Sequence, residues 1–204
     1  VKQINKIAAN MGQQAHLHLK VDTGMSRLGI QIDQALDVAR GMASLANVQL
    51  EGIFTHFARA DEVDPVPTQK QGTLFVGLLE KLASVGIQPP LIHAANSAAS
   101  LTHLSTHFNL LRFGIAMYGL HPSSQCPLPD AYRPALVWKA QLSQVKMLPP
   151  GRGVSYGHIY TTRKNERIGT IPVGYGDGFR RVPGNNTNTL VQAAHVQAWA
   201  AFVF

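Results

Sequence analysis

With 204 residues, 45% apolar and 14% charged, the chain can bury the core of one large domain, or of one domain and part of a second, and it is not disordered. The formal net charge of +7 is spread over singly placed Lys and Arg, without basic runs interleaved with aromatics. That pattern argues against nucleic acid and for small anions such as phosphates and carboxylates.

The chain opens on "VKQINKIAANMG", which reads as the inside of a helix, so the beginning of the protein is expected to be missing. "HLHLKV" follows as a strand, and His16 and His18 share one of its faces. The nine histidines show no metal-ligand spacing, and no metal is expected. Ile32, Leu36, Ala39, Met42 and Leu45 recur at helical spacing. "VQLEGIFTHF" is the second strand. Leu74, Leu78 and Leu82, flanked by Phe75 and Leu79, predict a second helix with a capping box at Thr68 and Gln71 and a terminal Gly86. "LIHAA" and "FNLLRFGI" are the third and fourth strands. This alternation implies a parallel sheet covered by helices, either half of an eight-fold β/α barrel or a small doubly wound sheet.

Then the texture changes. "HPSSQCPLPDAYRP" holds four prolines and reads as a linker. "ALVWKAQLSQVKML", the turn "PPGRG" and "ERIGTIPVGYGDG" predict a mainly β region. The last residues, "NNTNTLVQAAHVQAWAAFVF", fit neither pattern. The expected organisation is a barrel half over 1–121, a linker over 122–134 and a partial β domain over 135–204, with an atypical tail at 186–204. The lone Cys126 excludes an internal disulfide and points to a reducing compartment. No stretch has the length of a membrane span and no secretory signal opens the chain, so a cytoplasmic protein is expected.

In a β/α barrel, functional residues sit at the C-terminal ends of the strands. Lys20 and Asp22 end the first strand, with Arg27 in the loop beyond. His56 ends the second, followed by Arg59 and Asp61. His93, Asn96 and Ser97 end the third. Arg112 ends the fourth, followed by Gly114 and Ile115. Ser97 at a helix start, facing a glycine loop, suits an anion, although Asn96 or Ser97 could equally serve as an N-cap. "GYGDGFRR" lacks the spacing of a phosphate loop and reads as a turn. A tyrosine at Tyr156 is usually structural, and becomes an acid or base only if it reaches a cleft.

"LKVDTGMSRLGI", "THFARADE", "HAANSAA", "LRFGIAMYGL", "GVSYGHIYTT" and "IPVGYGDGFRR", in this order and spacing, resemble the alanine racemase family over residues 10–185. The resemblance implies a partial (β/α)8 TIM-type barrel followed by the start of a mainly β C-terminal domain. It implies pyridoxal 5'-phosphate as cofactor, an amino acid as substrate, and a homodimer whose active sites draw on both chains. The reaction would interconvert L- and D-alanine by two-base exchange of the Cα proton, supplying D-alanine for peptidoglycan.

The same resemblance assigns residues. Arg112 would donate to the cofactor's ring nitrogen and keep it unprotonated, because guanidinium does not give up its proton. Asn96, Ser97, Gly114 and Ile115 would hold the phosphate, and His56 would pack on the ring. Arg27 would face ring oxygen and substrate, oriented by Lys20, the position carbamylated in many members. Tyr156 would be the catalytic base, supplied by the partner chain. Asp61, His93 and Tyr175 would line the approach corridor. The family's cofactor-bearing lysine has no counterpart here, so these 204 residues alone are expected to be inactive and to bind the cofactor weakly. A change of frame or truncation would account for the tail. A racemase for another amino acid such as serine, and a non-catalytic phosphate-binding barrel fragment, remain the alternatives.

Overall fold

The computed structural model describes residues 1–158 and 160–177 and the strand at 201–203, with the backbone alone at Tyr156, Tyr175 and 201–203. The tail at 186–200 lies outside the described residues. The chain divides into two compact units, Val1–Leu136 and Val137–Phe204.

The first unit is an α/β segment of the barrel type. Its strands are β1 (Ala15–Asp22), β2 (Ile30–Gln31), β3 (Val48–Phe54) and β4 (Leu91–His93), all parallel, in the order β2-β1-β3-β4. Its helices are α1 (Lys2–Asn10), α2 (Ala35–Ala43), α3 (Val66–Ser84) and the short α4 (Ser97–Thr102). One face of the sheet is apolar. Leu19 and Val21 of β1 and Val48 and Ile53 of β3 join Ala35, Ala39 and Met42 of α2 and Phe75, Leu78 and Leu82 of α3 in a single core. Phe75 is fully buried and meets Phe108 edge to face, with centroids 5.5 Å apart. The opposite face carries the alternating residues His16, His18, Lys20 and Asp22 of β1, as the two-residue period of a strand requires.

Two expectations need correction. The second helix starts at Val66 after Pro65 and has no side-chain cap. Thr68 lies inside it, and its hydroxyl is buried without a partner; Gln71, expected as the other half of a capping box, faces the loops above the sheet. A proline at the first turn sets the backbone angle that starts a helix, so the cap is not needed. The C-terminal end is as read, with Gly86 at φ +79 past the last turn. The segment "FNLLRFGI" forms no strand. It follows β4 through two separated backbone bonds, Asn109 N–H to Ile92 O (3.3 Å) and Arg112 N–H to Ala95 O (3.1 Å), after a kink at Phe108 (φ +47). The proline-rich stretch packs on the first unit: Cys126 is in its core, and the Ser123 hydroxyl donates to Asp61 O.

In the second unit β5 (Gln144–Leu148) and β9 (Ala201–Val203) flank β8 (Glu166–Thr170), antiparallel. A small hairpin joins β6 (Gly153–Val154) to β7 (Tyr160–Thr161). Of "ALVWKAQLSQVKML", only 144–148 is a strand. Among the described residues no helix is long and apolar enough to cross a membrane.

Candidate functional site

The C-terminal ends of the strands are tied together before any ligand is considered. Past β1, one oxygen of Asp22 accepts the N–H groups of Gly24 (2.9 Å), Met25 (2.9 Å) and Ser26 (3.0 Å). These bonds fix the loop and hold the carboxyl below its ordinary pKa. The next residue, Arg27, projects into solvent. Thr23 shares a buried 2.6 Å hydrogen bond with Thr55 past β3. Gln71 of α3 then binds both loops. Its amide nitrogen donates to Thr23 Oγ1 and to His56 O, both at 3.1 Å, and its oxygen accepts from Ala58 N–H at 2.9 Å.

Arg112 is the centre of the polar face. Its Nη1 lies 2.7 Å from His93 Nδ1, and its Nη2 reaches Thr55 O (2.7 Å), Ala94 O (3.0 Å) and His56 Nδ1 (3.1 Å). The guanidinium lies over the Phe54 ring at 5.1 Å, and Lys20 Nζ lies at 5.7 Å from the same centroid. Burial lowers the pKa of Arg112, yet a guanidinium held by two carbonyl oxygens stays protonated. Burial, followed by the charges of Arg112, Arg27 and Lys20, pushes His56 down to about 4. Burial, then the charges of Arg112 and His18, do the same to His93, also to about 4. Both rings are therefore neutral near pH 7, and each offers Arg112 a lone pair.

Two residues beyond Arg112 the chain turns under Ser97. Ser97 Oγ accepts Gly114 N–H at 2.9 Å and Ala116 N–H at 3.3 Å. Its own hydroxyl hydrogen and the N–H of Ile115 have no acceptor among the described residues. Asn96 caps α4 by accepting Ala99 N–H (3.0 Å), and its amide donates to Phe57 O (3.2 Å), which joins the third strand end to the second.

Of the residues singled out in the sequence, His56, His93, Arg112, Ser97, Asn96, Gly114 and Ile115 fall in this one region. Arg27 and Lys20 reach it through their charges. His93 is 4% exposed and stands behind Arg112, in the interior rather than along an opening. Asp61 is half-buried, and its charge raises the pKa of Cys126 after the larger effect of burial. Tyr156 and Tyr175 belong to the second unit, each at the start of a 3₁₀ turn, and only their backbones are described. A groove of about 420 Å³ beside Asp22, Gln31 and Leu74 contains none of the cluster.

Sequence reasoning missed Phe54, Thr55, Gln71, His18 and Glu51 as parts of the region. His18 had a signal, the His-x-His spacing on one strand face. Gln71 had none, because near the helix start it reads as half of a capping box.

Fold and site define the class: a β/α-barrel segment with a cationic cluster at the C-terminal ends of its strands. Residues 1–122 match the family described as "Alanine racemase, N-terminal domain", and 135–200 match "Alanine racemase, C-terminal domain". The alanine racemase of Desulfovibrio desulfuricans is 41% identical over 189 residues, 93% of this chain and 51% of that protein. The one from Streptococcus gordonii is 46% identical over 166 residues, 81% of this chain and 44% of that protein. Among solved structures, the alanine racemase from D-cycloserine-producing Streptomyces lavendulae superposes with a TM-score of 0.83 at 37% identity, covering 99% of this chain and 56% of that one. The chain belongs to the alanine racemase family. It spans about half the length of the curated relatives it matches.

Proposed function

We propose that the protein carrying this sequence is a pyridoxal-phosphate-dependent alanine racemase, and that the first unit supplies its cofactor cradle. The observation that carries the reading is Arg112. Four acceptors hold its two Nη atoms, while its Nε–H has no acceptor among the described residues. That leaves a fixed cationic donor free for the nitrogen of a planar ring. The free hydroxyl hydrogen of Ser97 and N–H of Ile115 fit a phosphate, with Gly114 and Asn96 fixing the turn and the helix start around them.

When bound, pyridoxal phosphate withdraws electrons from the substrate and so acidifies its Cα hydrogen. Arg112, which keeps its proton, would leave the ring nitrogen unprotonated and temper that withdrawal. Neutral His56 would pack on the ring without adding charge. Arg27, oriented by Lys20, would face the substrate carboxylate. Tyr156, from the partner of a homodimer, would take or return the proton on one face of Cα, and Asp61, His93 and Tyr175 would support the site around it. The barrel half would end near residue 121 and the β domain begin near 135. The D-alanine would serve cell-wall synthesis in the cytoplasm.

The test is formation of D-alanine from L-alanine by the whole protein that carries this sequence, read with a D-amino-acid oxidase couple; these 204 residues by themselves are expected to form none. Arg112→Ala and Ser97→Ala should each lower kcat/KM by at least about 100-fold, in the range seen when a donor to developing charge is removed. Wild-type rates in both variants would sink the reading.

A further inference from the structure

β3 contains an extra residue. Leu17 pairs with Leu50, but His18 pairs with Gly52, so Glu51 has no partner on β1. Bulges are uncommon between parallel strands, and they re-aim the side chain they carry. Counted forward from Gln49, which pairs with His16, alternation puts Glu51 on the polar face, and the bulge then keeps Gly52, the partner of His18, on that same face. There one oxygen lies 3.2 Å from His16 Nδ1 and the other 3.4 Å from His18 Nε2. Gly52 fits the same arrangement. A Cβ there would stand 2.4 Å from His18 Nδ1, so only glycine lets the His18 ring lie on the β3 backbone.

His18 Nδ1 in turn lies 2.7 Å from His93 Nε2, and the other nitrogen of His93 faces Arg112. Hydrogen-bond chemistry leaves one assignment. Arg112 has donors only, so His93 Nδ1 must be a lone pair. The proton of His93 is then on Nε2, and it is donated to His18 Nδ1. The proton of His18 is on Nε2, which lies 3.4 Å from the Glu51 carboxylate in an ion-pair contact rather than an aligned hydrogen bond. Both hydrogen bonds in the row point the same way, from the guanidinium toward the side of the Glu51 carboxylate. Burial and Arg112 keep His93 neutral near pH 7, which agrees with a single ring proton.

We propose that Glu51 and His18 are positioning residues for Arg112, acting through His93. The carboxylate fixes the tautomers of both rings, so that His93 always presents a lone pair to Nη1. With the opposite tautomer an N–H would oppose an N–H, and Arg112 would turn away from its place at the ring. The proposal rests on the reading of Arg112 as the group that faces the cofactor.

The test is ¹⁵N NMR of the histidine rings in the full chain, without cofactor or substrate. The expected pattern is a bare Nδ1 and a protonated Nε2 on both His18 and His93. A protonated Nδ1 on His93 in the wild type overturns the proposal, and that measurement needs no variant to fold. Glu51→Leu should give mixed tautomers and lower kcat/KM by about 10–100-fold, the usual consequence of removing the partner behind a site residue. Glu51→Gln, which keeps an acceptor oxygen, should recover most of that loss. Gly52→Ala should displace His18 and reproduce the Glu51→Leu pattern. Unchanged tautomers and rates in both Glu51→Leu and Gly52→Ala would refute it. If the whole protein carrying this sequence makes no D-alanine, yet shows the wild-type tautomers and loses them in Glu51→Leu, the racemase reading is rejected and the row of contacts stands.

Discussion

The two faces of the parallel sheet are built from the same strands by opposite rules. The helix-covered face holds Leu19, Val21, Val48 and Ile53 against α2 and α3, and its stability comes from area removed from water. The other face holds His16, His18, Lys20, Glu51, Phe54 and His93 with Arg112 among them, and its order comes from directed bonds. One face tolerates any well-packed apolar set. The other tolerates fewer changes, because His93 and the Nη atoms of Arg112 are each tied to named partners. The alternation of a strand is what lets one sequence satisfy both demands at once.

Four experiments separate the faces, the three substitutions among them in descending order of effect. Phe75→Ala should destabilise by about 3–5 kcal/mol in denaturant unfolding, the range for emptying a buried aromatic site. Its target is the apolar face alone, so the folded variant should keep the histidine tautomers. Gln71→Leu conserves volume but strands His56 O and the Ala58 N–H and leaves Thr23 Oγ1 with Thr55 as its partner. It should cost about 1–3 kcal/mol, as for a buried group left unpaired. It should also move His56, which Phe75→Ala should not.

The third is acidification. His56 and His93 have folded-state pKa values of about 4 against an ordinary 6.5. The unfolded chain therefore takes up protons first as pH falls. Stability should drop between about pH 6.5 and 4 and level off below, each ring adding at most about 1.4 kcal/mol per pH unit. Asp22, whose carboxyl is held low, adds its loss only at lower pH. A denaturation midpoint that stays flat from pH 7 to 4 would contradict neutral rings on the polar face. The smallest effect is expected of Thr68→Val, which removes a buried hydroxyl without a partner. Stability should rise by about 0.5–1 kcal/mol, since an unpaired polar group is replaced by an isosteric apolar one.

Much of this was legible in order and period. The strands at 15–22 and 48–54 and the helices behind them follow from alternation and from the 3.6-residue spacing of Leu74, Leu78 and Leu82. His56, Ser97 and Arg112 were legible because barrels put their chemistry at strand ends. The segment around Arg112 was misread as a strand: its apolar run, Phe108 to Ile115, has strand composition, but the kink at Phe108 leaves only isolated bonds to β4. Gln71 was misread as half of a cap, since a side chain's partners across two loops leave no trace in its own helix.

The sequence by itself determined the element types, the family and the residues gathered at the rim, because hydrophobic period and motif order are local properties that survive without coordinates. Only the tertiary structure decided that Glu51 meets His18, that His18 meets His93 75 positions away, and that Arg112 ends the row. Those pairings depend on strand register, and one extra residue in β3 shifts the register by one. A shift of one residue exchanges the faces of a strand, so no reading along the chain could have said that Gly52 and Phe54 share the face of Glu51.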